Sequence, residues 1–225
     1  MSTPEHTEAI VAELVGGLQP TRPLPRLRTV GLALIALASG VGFGLVLAFR
    51  PEDAELHARN LVLLGGHLLL AVGALTAALA SCVPGREQTT RAGSRLAMVG
   101  VGLTLLIAAV IAAANGALVA PTLVDFRAGL RCVMTACTFG LIPALASAVF
   151  VGMAYPQRPI RTLFLTSVAV LGFATLPVHV GCPFPGPLHL VCTHATAPLT
   201  GALIMVVLML PVYWFSSRIS AGRSA

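Results

Sequence analysis

Apolar residues run through the chain in long blocks separated by short polar stretches. Five intervals contain no Asp, Glu, Lys or Arg: 21 residues between Arg28 and Arg50, 26 between Arg59 and Arg86, 29 between Arg95 and Asp125, 26 between Arg131 and Arg158, and 56 between Arg161 and Arg218. A bilayer core about 30 Å thick is crossed by about 20 apolar residues in a helix. Each of the first four intervals therefore holds one crossing. The fifth is too long for one, and Gly181-Cys182-Pro183-Phe184-Pro185-Gly186-Pro187 divides it, because a run of prolines cannot continue a helix. The pattern predicts an all-α integral membrane bundle of six transmembrane helices, near 29–49, 60–83, 96–118, 132–154, 162–180 and 190–215. These segments are apolar all round, as bundle-forming spans are.

A different pattern occupies residues 1–28. Thr3 can cap a helix, with Pro4 at its first position and Glu5 in its first turn. Ile10, Leu14 and Leu18 then recur every fourth residue, flanked by Val11 and Val15, as one narrow apolar stripe. Gly16-Gly17 and Pro20 end it. A helix of about fifteen residues is marginal alone in water. The stripe must lie on the membrane lipid, on the bundle or in a partner's groove. Pro20-Thr21-Arg22-Pro23-Leu24-Pro25 is a stiff spacer after it. The organisation expected is a short cytoplasmic N-terminal helix within 1–28, a six-helix domain over 29–216 and a tail over 217–225.

Composition agrees with the membrane reading. Charged residues make up 10% of the chain and hydrophobic ones 56%, where a soluble domain carries about 25% charged. That excludes disorder, a collagen-like fibre and a disulfide-stapled secreted mini-protein. The net charge of +6 comes from 14 arginines, with no lysine, against 8 acids. It suggests nucleic acid until the arginines are placed. With the N-terminus inside, Arg22, Arg26, Arg28, Arg86, Arg91, Arg95, Arg158, Arg161, Arg218 and Arg223 fall on the cytoplasmic side. Only Arg50, Arg59, Arg127 and Arg131 fall outside. Ten against four is an orientation signal with both termini in the cytoplasm, and no direct nucleic-acid contact is expected.

Look-alike motifs carry little. Leu79-Ala80-Ser81-Cys82 imitates a lipoprotein cleavage box but lies far from the N-terminus. Gly40-Val41-Gly42-Phe43-Gly44 imitates a nucleotide loop, yet it lies within a span, where close helix packing is the better reading.

The remaining chemistry lies in cysteines and histidines. Cys132, Cys137, Cys182 and Cys192 all fall toward the outer face, and Cys82 toward the inner one. Cysteines facing an oxidising compartment tend toward disulfides. Cys132 and Cys182 sit at comparable depth and form the candidate reactive pair, while Cys137 and Cys192 read equally well as small packing residues. His179, Cys182, His189, Cys192 and His194 offer soft donors for copper or zinc, in no standard zinc spacing. His67, within a span, reads first as a hydrogen-bonded packing residue. No charged side chain falls within a predicted span, and no metalloprotease, intramembrane serine-protease or Walker motif occurs. The chain is expected not to be an enzyme.

Several segments together resemble one family. They are the N-terminal helix with Leu18-Gln19-Pro20-Thr21-Arg22-Pro23-Leu24-Pro25, the six-span plan, Phe126-Arg127-Ala128-Gly129-Leu130-Arg131-Cys132, Ile142-Pro143-Ala144-Leu145 and Cys182-Pro183. The chain is similar in these to the negative-regulator-of-sigma-F family of membrane anti-sigma factors. The resemblance implies sequestration of an extracytoplasmic-function sigma factor at the bacterial inner membrane, with release on an oxidative, light or metal signal. It implies that Ile10, Leu14, Leu18 and Arg22 take part in sigma binding and that Cys132 and Cys182 form the sensor. In one respect the chain departs from the family: Gly181, where members often carry His, precedes the loop cysteine, and the nearest histidine is His179. The chain also lacks the H-x-x-x-C-x-x-C site of zinc-binding anti-sigma domains, so no cytoplasmic zinc is expected. A second reading, a redox, haem- or metal-binding membrane protein, would use His67, His179 and His194.

Overall fold

A computed structural model describes residues 8, 11, 26–49, 58–114, 123–182, 189, 193 and 195–222. Among them the chain forms the long helices α1 (Leu27–Phe49), α2 (Ala58–Ser81), α3 (Glu87–Ala114), α4 (Leu123–Ala154), α5 (Pro159–Gly181) and α6 (Ala197–Gly222), and no strand. Five of them, α2 to α6, contain stretches long and apolar enough to cross a membrane. The apolar stretch of α1, Thr29–Gly44, is shorter. Within 1–25 only Glu8 and Val11 are described, both helical and exposed. Ile10, Leu14, Leu18 and Arg22 lie outside the described residues.

Helix ends differ from those the apolar blocks predict. α3 begins at Glu87 rather than near 96. Its first turns are polar but still helical, and Glu87 there complements the exposed amides of the helix start. α6 begins at Ala197 rather than near 190. Ala195 and Thr196 form a turn, and the Thr196 carbonyl accepts from the amides of Leu199 and Thr200.

α5 is the centre of the bundle. It touches α1, α2, α4 and α6, and Thr166 to Thr175 are buried without interruption. α3 packs on α2 and turns Val99, Leu105, Leu106 and Val110 outward. Small residues set the α2–α3 seam. A Cβ added to Gly73 would lie 2.8 Å from the Gly93 carbonyl oxygen, and one added to Gly100 would lie 2.8 Å from that of Gly66. The two backbones are therefore in direct contact, as small residues allow in membrane helices.

The close packing expected of the Gly40–Gly44 segment forms at Gly42, and not through Gly40 and Gly44, which stand one helical turn apart. Both face open space, and it is Gly42 between them that lies against Pro177 and Phe139. The paired spacing put two glycines on one face, and the bundle uses the opposite one. Pro143, Pro177 and Pro211 sit inside α4, α5 and α6. Proline removes one backbone hydrogen bond, which membrane helices tolerate when neighbouring groups satisfy the freed carbonyl.

Contacts between helices also order the two ends of the bundle. Gly31 at the start of α1 faces Leu79 at the end of α2, and Gly152 late in α4 faces Ser216 late in α6. These residues, with the 82–86 and 155–158 turns, make one end. Gly129, which faces Thr193, and the last turn of α5 belong to the other.

Candidate functional site

At that second end, two thiols and an imidazole meet. Cys132 stands in an early turn of α4. Cys182 is the first residue past α5, in extended conformation with φ −72° and ψ 118°. His189 follows the proline-rich segment and is 2% exposed. The Cys132 and Cys182 Sγ atoms are 3.9 Å apart. His189 Nε2 lies 3.3 Å from Cys182 Sγ and 3.6 Å from Cys132 Sγ. Ala136, Val178 and Phe139 pack around the two cysteines and keep the site apolar. At Gly129, one turn before Cys132, an added Cβ would collide with the Thr193 hydroxyl, so the glycine admits Thr193.

This arrangement supports two kinds of chemistry. A thiolate is the form that attacks or binds metal, and an imidazole nitrogen beside a thiol can take its proton. The sulfurs are not bonded at 3.9 Å, against about 2.05 Å in a disulfide. A small movement of the α5 terminus would join them. The same three atoms also suit a soft metal. All donor atoms lie within 4.8 Å of one another, and a tetrahedral ion with bonds of about 2.3 Å to sulfur and 2.0 Å to nitrogen separates its ligands by roughly 3.5–3.8 Å.

Of the residues singled out in the sequence, Cys132, Cys182 and His189 come together. Cys137 does not join them; it packs in the main core near Gly201. Cys192 and His194 lie outside the described residues. His179 turns elsewhere. Its Nε2 lies 3.4 Å from His67 Nε2, and both rings are fully buried. His67 Nδ1 lies 2.9 Å from the Leu63 carbonyl oxygen, one turn back. If that nitrogen carries the proton, His67 Nε2 accepts and His179 Nε2 donates. The packing reading of His67 therefore fits its surroundings.

No cofactor-sized space separates these two rings. Their centroids are 4.4 Å apart at 68°, so a haem cannot lie between them as a bis-histidine ligand set would require. Sequence analysis set His67 beside His179 only as donors in the haem- or metal-binding reading; across 112 residues, spacing does not show that the two rings touch each other.

Comparison with protein-family models, with curated proteins and with solved structures gives no match to this chain.

Proposed function

We propose that this protein is a six-span membrane anti-sigma factor that senses a chemical signal through Cys132, Cys182 and His189. In this reading α1 is the first span and both termini are cytoplasmic in the bacterial inner membrane. Residues 1–28 hold an extracytoplasmic-function sigma factor through Ile10, Leu14, Leu18 and Arg22, and block its access to RNA polymerase core. The role is regulatory, without catalysis.

One observation carries the reading: two thiols, one in α4 and one just past the end of α5, meet a buried imidazole at the bundle end opposite residue 26. With the orientation read from the arginines, that end faces outward, where an external signal would reach the thiols, and the N-terminal segment faces the cytoplasm, where a sigma factor would be reached. An oxidant would join the sulfurs, and a soft metal would bind all three donors. The disulfide draws Cys182 toward Cys132 and shifts the end of α5, whereas a metal holds the two sulfurs near their present separation of 3.9 Å and fixes His189 to them. Pro177 lies in that terminal part of α5 and packs on Gly42 of α1, the helix that follows the N-terminal segment in the chain. A disulfide contributes about 2–4 kcal/mol, which shifts a bound-to-free ratio by about 30- to 900-fold.

The test uses the full chain with its candidate sigma factor in membranes. Binding should be lost in Leu14→Asp. Promoter induction by oxidant or soft metal should be lost in Cys132→Ser and Cys182→Ser with sequestration intact. No binding by the unaltered protein sinks the anti-sigma reading, and unchanged induction in both cysteine variants removes them as the sensor.

A further inference from the structure

The opposite end of the bundle holds a cavity of about 260 Å³. It lies between the ends of α2 and α4 and the first turns of α3 and α5. Three arginines line it, Arg91, Arg158 and Arg161, against a single carboxylate, Glu87. Among the described residues Arg91 and Arg158 make no ion pair, and Arg161 Nη2 donates to Ser94 Oγ at 3.3 Å. These exposed guanidinium groups give the cavity an excess of positive charge over its one carboxylate, which an anion would offset.

The rest of the wall suits an anion too. α3 begins at Glu87 and α5 at Pro159, so two helix starts, each with outward amides and positive dipole ends, border the cavity. Hydroxyls of Ser81 and Thr162 lie 2.9 Å apart in its wall. The turn that carries Arg158 is held in an unusual form. Tyr155 has φ 46°, in the left-handed region, and its hydroxyl donates to the Ser217 carbonyl at 2.6 Å. A non-glycine residue stays in that region only where its surroundings fix it.

Size and level narrow the ligand. A space of about 260 Å³ is too small for a protein segment and lies just under the range of small-molecule pockets, about 300–1,000 Å³. Arginine forks match phosphate oxygens two at a time. The exposed apolar residues Met98 and Val99 stand about two helical turns beyond Arg91 on α3; with α3 as a membrane span, the cavity lies at the height of lipid headgroups. An orientation signal needs arginines on this side but not their convergence on one cavity.

We propose that Arg91, Arg158 and Arg161 bind a phosphate ester in this cavity, supplied by the headgroup of an anionic phospholipid or by a soluble phosphate. This assignment is independent of the sensor at the other end.

The test uses the full chain in phosphatidylcholine discs, in discs containing phosphatidylglycerol, and in phosphatidylcholine discs titrated with inorganic phosphate at constant ionic strength. The readout is the thermal midpoint, followed by Trp214 fluorescence. Phosphatidylglycerol should raise the midpoint by several degrees. If inorganic phosphate does the same, the source is soluble; if it does not, the source is the lipid. Arg158→Gln with Arg161→Gln should abolish the rise, whereas the charge-matched pair Arg127→Gln with Arg131→Gln should keep it. Arg158→Lys alone, which keeps the charge and loses the fork, should weaken the response several-fold and needs no large change in the fold. No rise with either ligand overturns the proposal, and so does an equal loss in the two charge-matched pairs.

Discussion

At the residue scale, the thiol pair yields the most direct prediction. The Cys132 and Cys182 sulfurs lie 3.9 Å apart, and His189 faces both. Treating the detergent-solubilised protein with a mild dithiol oxidant should join them: each thiol loses one hydrogen and the oxidant takes both. Mass spectrometry after maleimide labelling of the unfolded chain should then find Cys132 and Cys182 protected and Cys82 and Cys137 labelled. Cys132→Ser should leave Cys182 labelled, and His189→Ala should slow the reaction by about tenfold or more, as expected when a positioned base is removed. Protection of Cys137 in place of Cys132 would overturn the pairing. Half of this site was legible in the sequence. Depth alone paired Cys132 with Cys182, because both flank the outer ends of apolar blocks. His189 was visible as a donor but grouped with His179, since sequence proximity cannot say that α5 turns His179 inward to His67.

At the element scale, the long helices were legible, five of them apolar enough to cross a membrane, because an apolar block must leave water and a helix satisfies its own backbone there. The ends were not. Glu87-Gln88-Thr89-Thr90-Arg91 is polar and still helical, and hydropathy cannot separate a polar first turn from a loop. The glycines show the same limit. Periodicity marks Gly40 and Gly44 as a packing pair, yet both face open space, while Gly73 and Gly100 lie on backbone of the neighbouring helix. Gly73→Val and Gly100→Val should each cost about 1–3 kcal/mol, the usual range for overpacking, because carbonyl oxygen and Cα atoms cannot move aside as a side chain would. Gly40→Ala and Gly44→Ala should be neutral or stabilise by up to about 1 kcal/mol, since alanine is the better helix former. Denaturant midpoints in micelles check both pairs. A loss at Gly44 equal to that at Gly73 would mean that α1 packs differently.

At the scale of the whole molecule, helix direction divides the polar chemistry between two ends. Thiols and imidazole stand at one end, with Arg127 and Arg131 nearby in α4. The arginine cavity stands at the other, with the start of α1 and the end of α6. α5 runs between them, from Arg158 and Arg161 near its start to Cys182 past its end. Arginine counts alone assign the arginine-cavity end to the cytoplasm, and the sensor proposal depends on that assignment, because an inverted chain would present its thiols to a reducing compartment. A cysteine in place of Arg127 or Arg158, in a background with the native cysteines changed to serine or alanine, reads the orientation directly. A membrane-impermeant maleimide added to spheroplasts should label the Arg127→Cys chain, and label the Arg158→Cys chain only after the membrane is opened. Both positions are exposed side chains at helix ends, so a failure to label reflects the membrane rather than burial. The reverse pattern would turn the thiol cluster toward the cytoplasm, and the N-terminal segment could no longer reach a sigma factor there.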